Sequence, residues 1–179
     1  MGVQHQWSSG LVAAGLAVLV GVTAVAAASA QFLPVLSVRE GAQRAGWIPQ
    51  ANGYIDYLTL LNARDGGING VPLVWEECET VFDVPRGVEC YERLKAKGPT
   101  GAAAVHPTGT PLTYALTERA TQDRIPLITL GYGRTDASDG RVFPYVFNPP
   151  INFWSQNTAK IRFLGQSRYR GRHGRFSGP

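Results

Sequence analysis

Short uncharged apolar runs alternate along this chain with segments of helical spacing, and that alternation constrains the fold more than any single motif. Leu33 to Val38 reads as a strand. Ala51 to Arg64 follows, with Ala51, Tyr54, Ile55, Leu58 and Leu61 forming one core-facing helical stripe. This helix should end at Asp65-Gly66-Gly67, where glycine accepts the left-handed backbone of a C-cap, and Asn69-Gly70 should turn the chain. Val71 to Trp75 reads as the second strand. The spacing predicts a second helix over about Val84 to Lys97, capped by Asp83, with the stripe Val84, Val88, Tyr91 and Leu94. Gly101 to Val105 reads as the third strand. Thr110 as a capping side chain and Pro111 at the first helical position open a third helix, with Leu112, Ala115, Leu116 and Ala120 facing inward. Pro126 to Gly131 reads as the fourth strand.

Strand-helix alternation with short connections implies parallel strands. Continuous apolar strands fit a sheet covered on both faces. The expected fold class is therefore α/β, an open doubly wound parallel sheet. Beyond Gly131 the pattern changes. A polar loop runs to Arg141, Phe143 to Phe147 is apolar, Asn148-Pro149-Pro150 breaks it, and Phe153 to Gly165 is a less regular helix candidate. Open sheets of this kind usually have more than four strands, so the chain reads as unfinished.

The N-terminus sets the compartment. Leu11 to Ala27 is apolar and uncharged, and it ends in Ala28-Ser29-Ala30, an A-x-A cleavage signal. The mature chain is expected to start at Gln31, outside the cytoplasm. Met1 to Gly10 carries no Lys or Arg, and the other reading is a retained anchor. The richness of the run in Ala and Gly, which insert weakly, favours cleavage. Removal leaves roughly 150 residues, enough for one domain with a core.

The formal net charge is +4, and Arg168, Arg170, Arg172 and Arg175 of the tail account for all of it. The part before Ser167 is electrically balanced and shows no basic face, so nucleic acid is not an expected partner. The tail, 167–179, has no apolar period. It reads as a disordered end or as residues from a lost natural frame, in preference to an RNA-binding Arg/Gly arm. The two cysteines, Cys78 and Cys90, are an even count in an exported chain and suggest a disulfide. No Cys-x-x-Cys exists and no histidine lies nearby, which argues against a metal or redox pair.

Reactive constellations are missing. There is no Gly-x-Ser-x-Gly elbow and no phosphate loop, and His106 is the only histidine in the body of the chain. Neither enzymatic activity nor a cofactor nor a metal is expected. Glu76, Glu77 and Glu79 read as a solvated strand end. Open parallel sheets bind ligands at the carboxyl ends of their strands. In this chain those ends carry His106-Pro107-Thr108-Gly109-Thr110 at a helix N-terminus, Gly131-Tyr132-Gly133, and Arg39 to Pro49 with Trp47. Each has an ordinary reading: Thr110 as a cap, Tyr132 as loop filling, Trp47 as packing. The convergence of all three favours a small-molecule site.

Asn62-Ala63-Arg64-Asp65-Gly66-Gly67-Ile68-Asn69-Gly70 resembles a helix-end motif of the periplasmic substrate-binding proteins of ABC transporters, of the branched-chain amino acid type. Gly41 to Gly46, Cys78 to Leu94 and Ile125-Pro126-Leu127-Ile128 are similar to that family as well, so the resemblance spans roughly Leu33 to Gln166. It implies a type I fold of two lobes closing around a ligand, and a monomer that delivers its solute to an ABC permease in the inner membrane. It implies that Thr108, Gly109 and Thr110 hold a ligand carboxylate and that Gly131, Tyr132 and Gly133 contact the other polar end. Trp47, Tyr132 and Trp154 would suit an aromatic or bulky ligand. Family members run to about twice this length, as two lobes require. The expected organisation is a signal (1–30), an N-terminal ligand-binding lobe (31–148), an incomplete crossover (149–166) and the tail, in a truncated solute-binding component. The competing function is a sensory or regulatory ligand-binding domain of the same fold.

Overall fold

The computed structural model describes residues 29–129, 135–149 and 151–166. The apolar N-terminal run, the Gly131-Tyr132-Gly133 loop and the arginine-rich tail lie outside them. The elements are β1 (Gln31–Ser37), α1 (Arg44–Asp65), β2 (Leu73–Glu79), α2 (Val84–Leu94), α3 (Thr110–Asp123), β3 (Leu127–Ile128), β4 (Val146–Phe147) and α4 (Phe153–Gln166). No helix among the described residues is long and apolar enough to cross a membrane.

β1 and β2 pair in parallel, with Val35 opposite Glu77 and Ser37 opposite Glu79. β3 and β4 pair in parallel as well. Between these pairs runs the segment expected to be the third strand, but it forms only isolated parallel bridges, Ala102 to Phe32, His106 to Val35 and Val105 to Leu127. Its backbone is diverted at both ends. Gly101 turns at φ 80, the Ala102 N–H donates to Lys95 O of the preceding turn, and Pro107 has no N–H to give. The parallel layer thus runs β2, β1, 102–106, β3, β4. The mixed α/β architecture with parallel strands stands, and β4 supplies a fifth position that the sequence reading left as an apolar run.

The core follows the two-residue period of β1. Phe32 and Leu36 join a cluster with Tyr91 and Leu94 of α2, Leu112 and Leu116 of α3, Val105 and Leu127. Val35 and Ser37 are also buried but stand outside that cluster, on the opposite face by strand geometry. Ala51 and Leu58 are the buried residues of α1, two members of the expected stripe. Gly66 ends α1 in the left-handed conformation (φ 69), and Asn69-Gly70 turns the chain with both φ angles positive, between reciprocal hydrogen bonds of Ile68 and Val71.

Several boundaries differ from expectation. α1 begins at Arg44 and contains Pro49, so Trp47 lies in its first turns and not in a loop. Pro49 has a helical φ but no N–H to donate to Ala45 O, so the helix gives up a backbone bond there. Gly109, not Thr110, is the N-cap of α3, and no side chain caps it. Asp83 does cap α2, accepting from the Arg86 N–H at 2.9 Å. β2 reaches Glu79, so the three glutamates lie within a strand. That strand is at the edge of the described layer and its charges are paired there: Glu76 with Lys97 (2.6 Å) and Arg93 (3.2 Å), Glu77 with Arg39. α4 forms as expected over Phe153 to Gly165, yet Trp154, Ile161 and Phe163 are exposed. Cys78 and Cys90 form a disulfide joining β2 to α2.

Candidate functional site

Because the layer is parallel, the chain leaves each described strand at the same edge. β1 ends in Ser37, β2 leads into Thr80 to Asp83, and the 102–106 segment leads into Pro107 to Thr110. Hydrogen bonds lock these tips together. The Thr80 N–H and hydroxyl both donate to Ser37 O at 2.9 Å, and the Thr108 hydroxyl donates to Leu36 O at 2.7 Å. The Glu79 carboxylate accepts from the Arg39 N–H and the Val81 N–H, both at 2.7 Å, and so bridges the ends of β1 and β2.

A shallow cleft opens at this edge, lined by Thr80, Phe82, Asp83, Val84, Thr108, Pro111 and Leu112. It lies where α2 and α3 both begin, so two helix N-termini flank it. The first N–H groups of a helix have no partner within it and carry the positive end of the dipole. At α2 Asp83 takes up part of this capacity. At α3 no side-chain cap does, and the neighbouring Thr110 is half-buried. The Thr108 hydroxyl hydrogen is committed to β1, so this residue fixes the loop.

Aromatic rings form one wall. Phe82 stacks on Trp47 with centroids 5.8 Å apart and planes 20° from parallel. Phe82 also lies over Gly109: a Cβ there would come within 2.6 Å of Phe82 Cε2. Gly109 combines φ 89 with ψ 158, a conformation open essentially to glycine alone. Val81 (φ 47) and Phe82 (φ 60) are left-handed as well, an arrangement that costs L-residues about 1–2 kcal/mol each. Below the tips, His106 meets Tyr54 at 5.9 Å. Burial lowers the imidazole pKa to about 4, so the ring is neutral near pH 7, and burial raises the Tyr54 phenol.

The sequence-based site is thus brought together in part. Thr108, Gly109 and Thr110 stand at one helix N-terminus, and Trp47 joins them through Phe82. Gly131, Tyr132 and Gly133 fall outside the described residues. Trp154 is 71% exposed on α4 and does not line the cleft. Thr80, Phe82 and Ser37 went unnoticed in the sequence. Ser37 is 2% exposed, and its hydroxyl has no hydrogen-bond partner among the described residues. The signal for Thr80 and Phe82 was Asp83: a residue that caps α2 puts those just before it at the tip of β2.

A structure described as an ABC transporter permease from the Pseudomonas fluorescens group is 47% identical, with a TM-score of 0.72 over 77% of this chain and 34% of that one. A fatty acid ABC transporter substrate-binding protein from Thermomonospora curvata is 18% identical, with a TM-score of 0.62 over 76% of this chain and 33% of its own. The branched-chain amino acid substrate-binding protein LivJ from Streptococcus pneumoniae, solved with isoleucine, is 19% identical, with a TM-score of 0.56 over 66% of this chain and 33% of its own. The chain spans about a third of the length of these structures. No protein of curated function matches. The family model described as periplasmic binding protein matches residues 30–170, and the chain belongs to that family.

Proposed function

We propose that this chain is the solute-binding component of an ABC importer, acting in the periplasm on an amino acid or a related, including aromatic, carboxylate. The observation that carries this reading is the single edge where the tips of β1, β2 and the 102–106 segment meet the uncapped start of α3. The family is one of binders and not of catalysts, and structural neighbours are described as binding isoleucine or as fatty acid transporter components. The branched-chain amino acid type rests on neighbours of 18–19% identity and on the resemblance of the helix-end motif.

In this reading residues 31–148 are the ligand-binding lobe, and 149–166 begin the passage onward. The carboxylate sits at the N-terminus of α3, on the Thr110 hydroxyl and the Thr110 and Leu112 N–H groups, Pro111 having none to give. Thr108 holds the loop to β1. The apolar body lies along Phe82, backed by Trp47. Gly131, Tyr132 and Gly133 reach the other polar end. The loaded monomer docks on an inner-membrane permease.

One lobe covers one side of a ligand, whereas a closed site buries most of it. Affinity for the chain alone is then expected in the millimolar range, on the order of 4 kcal/mol. Isothermal titration against leucine, phenylalanine and 4-hydroxybenzoate tests the reading. Thr110→Val should weaken whichever binds by about tenfold or more, the worth of a hydrogen bond to a charged group. Heat unaffected by Thr110→Val, or no heat from any of the three at tens of millimolar, would overturn it.

A further inference from the structure

We propose that the Cys78–Cys90 disulfide is a redox-sensitive clasp on the cleft, holding Phe82 in its place beside Gly109 and Trp47 and releasing it on reduction. The inference rests on the reading of that cleft as the ligand site, and it adds a regulation that ligand binding alone does not require.

The connection from β2 to α2 is four residues long, and its middle two, Val81 (φ 47) and Phe82 (φ 60), are both left-handed. For a branched side chain such as Val81 this is an outlier, and it persists only where the surroundings impose it. Four hydrogen bonds hold the connection: the Thr80 N–H and hydroxyl to Ser37 O, both at 2.9 Å, Val81 N–H to the Glu79 carboxylate at 2.7 Å and Asp83 N–H to Thr80 O at 2.8 Å. The covalent tie is the disulfide. It joins the strand before the connection to the helix after it, with Cα atoms 5.8 Å apart, so the left-handed pair sits inside the closed loop. Phe82 transmits the state of this loop. It lines the cleft, stacks on Trp47 and lies over Gly109.

The surroundings of the sulfurs direct exchange to one of them. Both cysteines are buried in the core, Cys78 at 9% exposed and Cys90 at 3%, so attack falls on Cys78, the less buried residue. Arg93 Nη2 lies 2.9 Å from Cys78 Sγ, and the half-exposed guanidinium is held from the far side by Glu76 at 3.2 Å. A dithiol reductant supplies the electrons. Its thiolate is drawn by the Arg93 charge to Cys78 Sγ and forms a mixed disulfide. The Cys78–Cys90 bond breaks, and Cys90 leaves as a thiolate that takes up a proton. The second thiolate of the reductant then attacks the reductant's own sulfur in the mixed disulfide. Cys78 leaves as a thiolate stabilised by Arg93, and the reductant departs as a cyclic disulfide. The protein has gained two electrons and holds Cys78 and Cys90 reduced. Without the tie, the left-handed pair relaxes and Phe82 leaves its wall.

Hydrogen-deuterium exchange on the full chain, oxidised and after dithiothreitol, tests this without any ligand. The expected result is early deuteration of the Thr80, Val81 and Asp83 amides in the reduced chain, with 109–113 following, while β1 stays protected at the same times. Unchanged protection of 80–83 would overturn the clasp. Loss of β1 protection together with 80–83 would also overturn it, because the bridge would then be a general staple. Arg93→Met should slow reduction by dithiothreitol about tenfold, through weaker attraction of the attacking thiolate and a poorer leaving group; reduction at the wild-type rate would remove Arg93 from the device. Failure of ligand titration would touch the importer reading and leave these outcomes unaffected.

Discussion

Gly109 carries more of the site than its size suggests. Its backbone conformation excludes side chains, and its missing Cβ is the space that Phe82 fills. Gly109→Ala should therefore destabilise the chain by about 2–4 kcal/mol, adding backbone strain to overpacking, as measured by urea unfolding. A change within a few tenths of a kcal/mol would show that the loop is free to adjust. His106, beneath the same loop, makes stability depend on acidity. Its folded pKa is held down to about 4 by burial, against an ordinary value near 6.5. The unfolded chain thus takes up a proton first as pH falls. The stabilising contribution is complete above about 6.5 and drains away as pH drops toward 4, to an extent of about 3 kcal/mol. Urea midpoints at pH 7 and pH 4.5 should differ more for the wild type than for His106→Gln; equal differences would contradict the assignment.

At the scale of elements, α2 binds the tip of β2 to the rest of the layer. Its Tyr91 is fully buried and donates to Asp123 of α3 at 2.7 Å, and Lys95 pairs with the same carboxylate at 2.9 Å. Burial, reinforced by that hydrogen bond, raises the Tyr91 pKa, so the phenol keeps its proton. The disulfide fastens the other side of the helix. The Cys78→Ala/Cys90→Ala pair should lower stability by about 3 kcal/mol in the chain-entropy estimate for so short a loop, read from urea midpoints; an unchanged midpoint would mean that the bridge adds nothing to folding. The helices were legible because apolar spacing and chemistry agree: Asp83 caps α2, Gly66 ends α1, and the stripe Val84, Val88, Tyr91, Leu94 includes two fully buried residues. Two signals misled. Arg39 to Pro49 reads as the loop after β1, but α1 begins at Arg44 and takes in Pro49, which moves Trp47 out of its expected loop. Thr110 reads as a cap, yet Gly109 takes that place because the chain must pass close beneath Phe82.

At the scale of the molecule, alternation alone gave the parallel layer and the edge where the tips gather. What it could not give was the quality of each strand. Gly101 to Val105 looks apolar enough to pair along its length, but its small residues and diverted hydrogen bonds leave only bridges. The aromatic wall was half legible. Trp47 stood out, whereas Phe82 was hidden because only the left-handed turn before α2 aims it at Gly109. The Glu76–Glu77–Glu79 run turned out to be a paired edge with a partly structural task, since Glu79 ties the ends of β1 and β2. Ligand is expected at that edge, and amide chemical-shift mapping of the full chain during titration with leucine, phenylalanine or 4-hydroxybenzoate shows where it binds. Shifts concentrated at Thr80 to Asp83 and Thr108 to Leu112 are the expected result. Shifts centred on α4 or on the opposite ends of β1 and β2 would contradict it.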